Sequence, residues 1–171
     1  MGALERDDFV HTGPGTLAGR YLRRFWQPIY VSAELPEGKI VPIKILGEEL
    51  ALYRGESGTP RVIANECPHR LSVLNTGWIE GETIRCRYHG WRFDESGGCV
   101  EQPGEPRPFC HKVPRLASYP TYEVHGLIFA YFGEGDPPTF APIPGLEEGV
   151  GENWTVSPSA EMIPCNYFQS A

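Results

Sequence analysis

The sequence has no long apolar run and no cluster of basic residues. No stretch of the 171 residues approaches the roughly eighteen consecutive apolar positions of a membrane-spanning helix. The formal net charge is −7, whereas binding to nucleic-acid phosphates requires a basic face. These absences predict a protein that has neither a membrane nor a nucleic acid as its partner.

The N-terminus also lacks the apolar core of a secretory signal peptide. Residues 1–10 carry Glu5, Asp7 and Asp8 instead of an uninterrupted apolar segment. Cysteine is scarce as well, and its five copies are an odd number that does not suit a complete disulfide framework. In reducing compartments thiols serve metals more often than disulfides. A cytoplasmic location is therefore the expectation.

Long helical patterns are missing, whereas glycine and proline are abundant. Twenty glycines and seventeen prolines punctuate the sequence with turns. Between the turns lie short β-like runs, which favour an all-β fold, either an antiparallel β-sandwich or a small barrel. The predicted strands cover residues 29–31, 40–46, 49–53, 61–64, 83–86 and 127–132.

One short helix is predicted within residues 12–26. Thr16 can cap its first turn. Leu17, Tyr21, Leu22 and Phe25 follow at helical spacing. We expect this apolar side of the helix to pack on the main domain.

Proline-rich segments divide the chain. Residues 102–115 contain four prolines and are predicted to form a loop over the main domain. Residues 136–144 also contain four prolines and have the character of an extended linker. The expected organisation is an N-terminal arm with the helix (1–26), a main domain (27–135), and a linker with the first strands of a second domain (136–171). Those strands are predicted at 154–156 and 162–163.

Two short pieces of sequence carry metal-binding side chains. Cys67-Pro68-His69-Arg70 has the pattern C-x-H, and Cys86-Arg87-Tyr88-His89-Gly90-Trp91 contains C-x-x-H. Sixteen residues separate the two patterns, and each offers one thiolate and one imidazole. A Rieske [2Fe–2S] cluster takes two cysteines and two histidines, with both histidines on one iron. We therefore predict that such a cluster is held by Cys67, His69, Cys86 and His89.

Zinc is the alternative occupant, because two cysteines and two histidines also form a tetrahedral structural site. Zinc fingers usually place both cysteines on one knuckle and both histidines on another. Here each loop carries one of each, which fits a cluster of two metals better. Pro68 is expected to stiffen the first loop, and Gly90 to let the second loop turn sharply.

The two motifs resemble those of the Rieske-type, ring-hydroxylating oxygenase family, which are C-x-H-R and C-x-x-H-G-W-x-F. The second motif matches in full through Phe93, and the first departs at Leu71, where the family usually has glycine. Residues 16–20, 25–28, 126–129 and 165–171 also resemble oxygenase subunits similar to phthalate and vanillate oxygenases. The resemblance implies a Rieske-type antiparallel β-sandwich with a cluster-binding subdomain of two loops, followed by a truncated catalytic domain.

The resemblance also implies one-electron transfer as part of an oxidoreductase. Electrons would come from a flavin-containing or ferredoxin-type reductase. They would pass to a mononuclear Fe(II) in the catalytic domain of a neighbouring subunit, within a homotrimer. The ligands of that iron are missing from this sequence, so we expect no catalytic residue in it. The alternatives are a stand-alone Rieske ferredoxin and a zinc-bound structural module.

Residues next to the motifs are expected to support the site. Tyr88, Trp91 and Phe93 should pack under the loops and exclude water. Four arginines are candidates to favour the reduced state, unless ion pairs occupy them: Arg70, Arg85, Arg87 and Arg92.

The remaining cysteines and histidines are expected to have no part in the site. Cys99, Cys110 and Cys165 are predicted to be ordinary thiols. His111 and His125 are predicted to be loop and turn residues, and with His11 they form no iron-binding group with a carboxylate.

Overall fold

The predicted N-terminal helix is present but short. A computed structural model describes residues 10–145, 156–161 and 163, and its one α-helix within these residues, α1, spans Leu17–Leu22. The expected cap is confirmed, since the Gly19 N–H donates to Thr16 Oγ1 at 3.0 Å. No helix in these ranges is long and apolar enough to cross a membrane.

The expected packing of the apolar side of α1 is wrong. Tyr21 is 60% exposed and Phe25 49% exposed, and the buried residues of the helix are Ala18 and Gly19. A Cβ at Gly19 would overlap the backbone carbonyl oxygen of Gly13. The helix therefore packs through its smallest residues on the loop that precedes it, which leaves the large side chains outside.

Three antiparallel sheets account for the strands of the described residues, and the all-β expectation is confirmed. The sheet orders are β1-β11-β10, β2-β3-β4-β9 and β5-β6-β7-β8. The strands are β1 Trp26–Val31, β2 Ile40–Ile45, β3 Glu48–Arg54, β4 Pro60–Ala64, β5 Trp78–Glu80, β6 Thr83–Arg85, β7 Arg92–Phe93, β8 Cys99–Glu101, β9 Ser118–Tyr119, β10 Thr121–Val124 and β11 Leu127–Tyr131.

All six predicted strands are present, and their observed ends differ from the predicted ends by at most three residues. Five further strands were not predicted, namely β5, β7, β8, β9 and β10. Each is only two to four residues long, which is too short for an alternating pattern to appear in the sequence.

Two hairpins turn through pairs of residues with positive φ. The pair Leu46-Gly47 joins β2 to β3, with φ of 48° and 79°, and His125-Gly126 joins β10 to β11, with φ of 51° and 75°. Positive φ at both positions is the geometry of the two-residue hairpin that suits the twist of the strands. The prediction that His125 is a turn residue is confirmed.

The sheet β2-β3-β4-β9 lies between two hydrophobic cores. From β3, Leu50 and Leu52 face one core while Ala51 and Tyr53 face the other. The first core lies under β1 and β11 and includes Ile128 and Ala130. The second core lies under the sheet β5-β6-β7-β8 and contains the two cysteines of the predicted site, Cys67 and Cys86. A strand buried on both faces carries a continuous apolar run, as β3 does.

The proline-rich segments lie on the surface of these sheets. Residues 102–115 form the predicted loop, with one 3-10 turn at Cys110–Lys112. The linker segment lies on the sheet β1-β11-β10, where Trp26 Nε1 donates to the Pro138 carbonyl at 2.9 Å and Phe140 packs on Tyr122. The strands predicted at 154–156 and 162–163 lie largely outside the described residues, and those of their residues that are described are not in strands.

Candidate metal centre

The first loop of the predicted site connects β4 to a 3-10 turn at Leu74–Thr76. The Cys67 N–H donates to the Ser72 carbonyl at 2.9 Å, and the Leu71 N–H donates to the Cys67 carbonyl at 2.9 Å. A bridge between Glu66 and Val73 closes the base of the loop. The Cys67 side chain points into the core and is 1% exposed.

The second loop, between β6 and β7, repeats this pattern of hydrogen bonds. The Cys86 N–H donates to the Trp91 carbonyl at 2.8 Å, and the Gly90 N–H donates to the Cys86 carbonyl at 3.0 Å. In each loop the cysteine N–H reaches the carbonyl five residues on, and its own carbonyl accepts from the N–H four residues on. Leu71 therefore occupies in the first loop the position that Gly90 occupies in the second.

Both of these equivalent positions have a left-handed backbone. The φ of Gly90 is 74° and that of Leu71 is 55°. Glycine adopts this conformation without strain, whereas a leucine does not. At Leu71, where the family usually has glycine, the first loop thus has the same left-handed backbone as the second loop, but at a cost in backbone energy.

We expect the Leu71→Gly substitution to raise the free energy of unfolding by about 0.5–1 kcal/mol. It removes a left-handed leucine, which costs roughly 1–2 kcal/mol, and adds the entropy cost of glycine, about 0.5–1 kcal/mol. Little burial is lost, because Leu71 is 69% exposed. Urea denaturation measures the change. The matched control is Val73→Gly in the same loop, which should destabilise because Val73 has φ of −74°; equal signs for both variants would contradict the argument.

The two loops bring the four predicted ligands together in two pairs. The imidazole rings of His69 and His89 have centroids 4.6 Å apart, and the thiols of Cys67 and Cys86 share one buried core, where Cys86 is near enough to raise the pKa of Cys67. Cys67 and Cys86 are buried, while His69 is half-buried and His89 exposed. The sulfur pair thus lies on the inside, and the imidazole pair lies at the surface.

The protonation of these groups suits metal ligation. Burial raises the pKa of the Cys67 thiol to about 11, and the neighbouring Cys86 thiol adds to the rise. A thiolate at neutral pH therefore requires a bound cation, and binding must release its proton. The pKa of His69 is lowered by loss of solvent and by the charges of His89 and Arg70, which favours the neutral imidazole that binds metals.

The pairing fits a two-iron cluster better than a single ion. A tetrahedral zinc site places four ligands around one ion, whereas here the two thiols share the buried core and the two imidazoles pair with each other nearer the surface. A Rieske cluster asks for only two side chains at each iron, a pair of cysteines and a pair of histidines. Both cysteines are free thiols rather than a disulfide, so they can supply the sulfur pair.

Of the three aromatic residues expected to pack under the loops, two are buried and one is exposed. The indole of Trp91 is 3% exposed and stacks on the His69 imidazole, with centroids 4.4 Å apart and planes within 3°. Phe109, from the proline-rich loop, meets Trp91 edge-on at 5.7 Å. The expected packing is confirmed for Trp91 and for the fully buried Phe93. It is wrong for Tyr88, which lies beside His89 but is 63% exposed.

The four candidate arginines separate into two groups. Arg85 and Arg92 form ion pairs with the carboxylates of Glu80 and Glu101. Hydrogen bonds from Arg85 lower the pKa of Glu80 to about 2. Two other arginines are exposed and make no ion pair within the described part of the chain: Arg70 and Arg87.

The remaining described cysteines and histidines are not on the two loops that carry the predicted ligands. Cys99 and Cys110 are neighbouring free thiols on β8 and the 3-10 turn. His11 and His111 are exposed. Cys165 lies outside the described residues.

The sequence matches the family described as "Rieske [2Fe-2S] domain" over residues 25–122, more than half of the chain. The chain belongs to the Rieske domain family. The match contains both loops and the three sheets except for the second half of β10 and the last strand, β11. The predicted resemblance is thereby confirmed, and the cluster expected between the loops is the one for which the family is named.

Oxygenase subunits are among the relatives of this Rieske domain. The 5,5'-dehydrodivanillate O-demethylase oxygenase subunit of Sphingobium sp. (strain NBRC 103272 / SYK-6) is 35% identical over 99% of this chain and 40% of its own length. The terminal oxygenase of carbazole 1,9a-dioxygenase from Novosphingobium sp. KA1 superposes with a TM-score of 0.67 at 32% identity, over 74% of this chain and 35% of that one. The reduced complex between oxygenase and ferredoxin in carbazole 1,9a-dioxygenase superposes with a TM-score of 0.61 at 33% identity, over 68% of this chain and 30% of that one.

The chain is therefore much shorter than these relatives. It spans 40% of the demethylase subunit and 35% of the carbazole terminal oxygenase. What the described residues contain is the Rieske part, with its helix, its three sheets and its two loops.

Proposed function

We propose that this Rieske domain transfers single electrons within a ring-hydroxylating oxygenase. Cys67 and Cys86 would hold the inner iron of a [2Fe–2S] cluster, and His69 and His89 the outer iron. When bound, the cluster supplies a centre that accepts and releases one electron. The observation that carries the proposal is the two-plus-two arrangement of these side chains, with thiols in the core and imidazoles at the surface.

The chain's own residues would exclude water from the sulfur side of the cluster and leave the imidazole side accessible to a partner. Trp91 and Phe93 exclude water beneath the loops, because both are buried in the core that contains the thiols. His89 is exposed, and one of its ring nitrogens would remain free when the other binds iron. A redox partner would therefore approach the domain at the imidazole pair.

We infer that the whole protein is an oxygenase whose catalytic domain follows this one. The demethylase and carbazole relatives are oxygenase subunits, which supports the inference. Residues 1–26 would form the arm, 27–135 the Rieske domain, and 136–171 the linker and the start of the catalytic domain. That domain would hold the mononuclear Fe(II), and in a homotrimer it would meet the imidazole pair of a neighbouring subunit.

We propose a flavin-containing or ferredoxin-type reductase as the electron donor. The carbazole oxygenase has been solved in complex with a ferredoxin, which supports a donor of this class. Arg70 directly follows His69 and Arg87 comes two residues before His89, and both side chains are exposed in a chain of net charge −7. A local positive rim on an acidic protein favours a donor with an acidic docking face.

The proposal is tested on the purified chain. It should be red-brown, contain two irons and two sulfides per chain, and give an EPR signal after reduction with dithionite. Colourless protein with one zinc per chain, and no cluster after anaerobic reconstitution with iron and sulfide, would overturn it.

Replacing Arg87 by Glu should slow reduction by an acidic ferredoxin and lower the reduction potential. The substitution changes the charge beside the ligands by two units. The rate of association with an acidic ferredoxin should therefore fall by about tenfold or more at low salt. The potential should fall by tens of millivolts, because Arg87 is exposed and its field is screened. Stopped-flow reduction and voltammetry measure the two effects. The control is Arg24→Glu, an equal change beside the sheet β1-β11-β10; if both variants behave alike, the rim has no special part in docking.

A further inference from the structure

The side chain of Arg85 connects the cluster-binding sheet to the second loop. Arg85 ends β6 and directly precedes Cys86. Its Nη1 donates to the Gly90 carbonyl at 2.7 Å. Its Nε and Nη2 donate to the two carboxylate oxygens of Glu80, both at 2.6 Å, and Nη2 also reaches Glu101 at 2.9 Å. The guanidinium is thus fixed by two carboxylates from β5 and β8 while its remaining nitrogen holds the loop.

The Gly90 carbonyl belongs to the peptide that joins the two residues hydrogen-bonded to Cys86. The N–H of the same residue donates to the Cys86 carbonyl, and the next residue, Trp91, accepts from the Cys86 N–H. Trp91 in turn stacks on His69 of the first loop. The orientation of the peptide after Gly90 therefore affects the loop that carries two ligands and the ring that supports a third.

The charges of this network cancel. Arg92 also contacts both carboxylates, at 3.4 Å to Glu80 and 3.0 Å to Glu101. Two cations and two anions contribute no net charge to the surroundings of the site. The expectation that Arg85 and Arg92 act as positive charges favouring the reduced state does not suit this arrangement, since each is paired.

We propose that Arg85 is a positioning residue for the second loop, anchored by Glu80 and Glu101. The proposal rests on the proposed function only in that the loop is taken to hold a cluster. Four hydrogen bonds in different directions require the planar fork of a guanidinium, and a lysine ammonium cannot reproduce them. The first loop is supported differently, by neutral bonds between Asn65 and Asn75, where Asn75 N–H donates to Asn65 Oδ1 at 2.9 Å.

The test compares Arg85→Lys, which keeps the charge and loses the fork, with Arg85→Gln, which loses both. In cluster-free protein, amide hydrogen exchange at Cys86 and Gly90 should become about tenfold faster in both variants, as expected for loss of one hydrogen bond to a charged group. In cluster-loaded protein, loss of iron to a chelator should accelerate by a similar factor, and the EPR g-values should shift. The control Arg61→Lys makes the same chemical change in β4, where Arg61 lies 3.8 Å from Glu82, and should resemble the wild type.

Wild-type exchange and chelation rates in Arg85→Lys would overturn the proposal, because charge alone would then suffice. If Arg85→Lys does not fold, Glu101→Gln decides, since it weakens the anchor and leaves the bond to Gly90 available. Faster exchange at Gly90 in that variant supports positioning, and unchanged exchange contradicts it. Failure of the wild type to bind a cluster would remove the proposed function, while exchange in cluster-free protein would still test the role of Arg85.

Discussion

Cys86→Ser is expected to abolish the visible absorption and the EPR signal of the protein. The side chain of Cys86 is 2% exposed and lies with Cys67 in the core beneath the loops. A serine hydroxyl is a poor substitute, because iron in sulfide clusters prefers soft thiolates. The variant also leaves an iron with one protein sulfur instead of two. Iron content, absorbance and EPR after anaerobic reconstitution measure the loss.

The matched control for this substitution is Cys99→Ser. Cys99 is a half-buried free thiol that packs against the same core, and burial raises its pKa to about 12. It lies on β8 rather than on either loop. This variant should keep the full iron content and spectrum. Loss of the cluster in both variants would point to a general effect on folding, and retention in Cys86→Ser would remove Cys86 from the ligand set.

Gly97→Ala is expected to lower the free energy of unfolding by about 2–5 kcal/mol. Gly97 has φ of 75°, and a Cβ there would overlap the backbone carbonyl of Leu116. A left-handed alanine costs roughly 1–2 kcal/mol, and the displaced backbone adds about 1–3 kcal/mol. The Leu116 N–H donates to the Gly97 carbonyl at 2.9 Å, so the end of the proline-rich loop would be pushed off the core. Urea denaturation of the cluster-free protein measures the change.

Gly58→Ala separates the two causes. Gly58 has almost the same φ, 76°, but a Cβ there would meet only a flexible carboxylate oxygen of Glu37, at 3.8 Å. This control should lose only the backbone cost of roughly 1–2 kcal/mol. A loss at Gly97 no larger than that at Gly58 would mean that the contact with Leu116 relaxes freely.

The ligand positions can be predicted from sequence because their chemistry is local. Two residues in each loop, at fixed spacing, carry the whole signal for Cys67 and His69 and for Cys86 and His89. The longer strands and the Thr16 cap can be predicted for the same reason, since each depends on neighbouring residues. Whether all four side chains bind iron remains a prediction.

The support of the site could not be predicted, because it depends on the register of very short strands. Arg85 meets Glu80 across a hairpin and Glu101 from β8, sixteen residues away. Strands of two or three residues leave no periodic pattern to reveal that geometry. In helix α1 the sequence does have a regular apolar pattern, but that pattern does not identify the buried face. There the close approach of Gly19 to the preceding loop decides the packing.

The central sheet has a consequence for the cooperativity of the domain. Because β3 and β4 contribute side chains to both cores, neither core can melt without exposing the back of the other. We therefore expect the core that contains the two loop cysteines and the core under β1 and β11 to unfold as one unit rather than as two foldons. Substitutions in either core should then make opening of the whole domain easier, so the lifetime of a bound cluster should depend in part on apolar residues of the opposite core, such as Leu52 and Ile128.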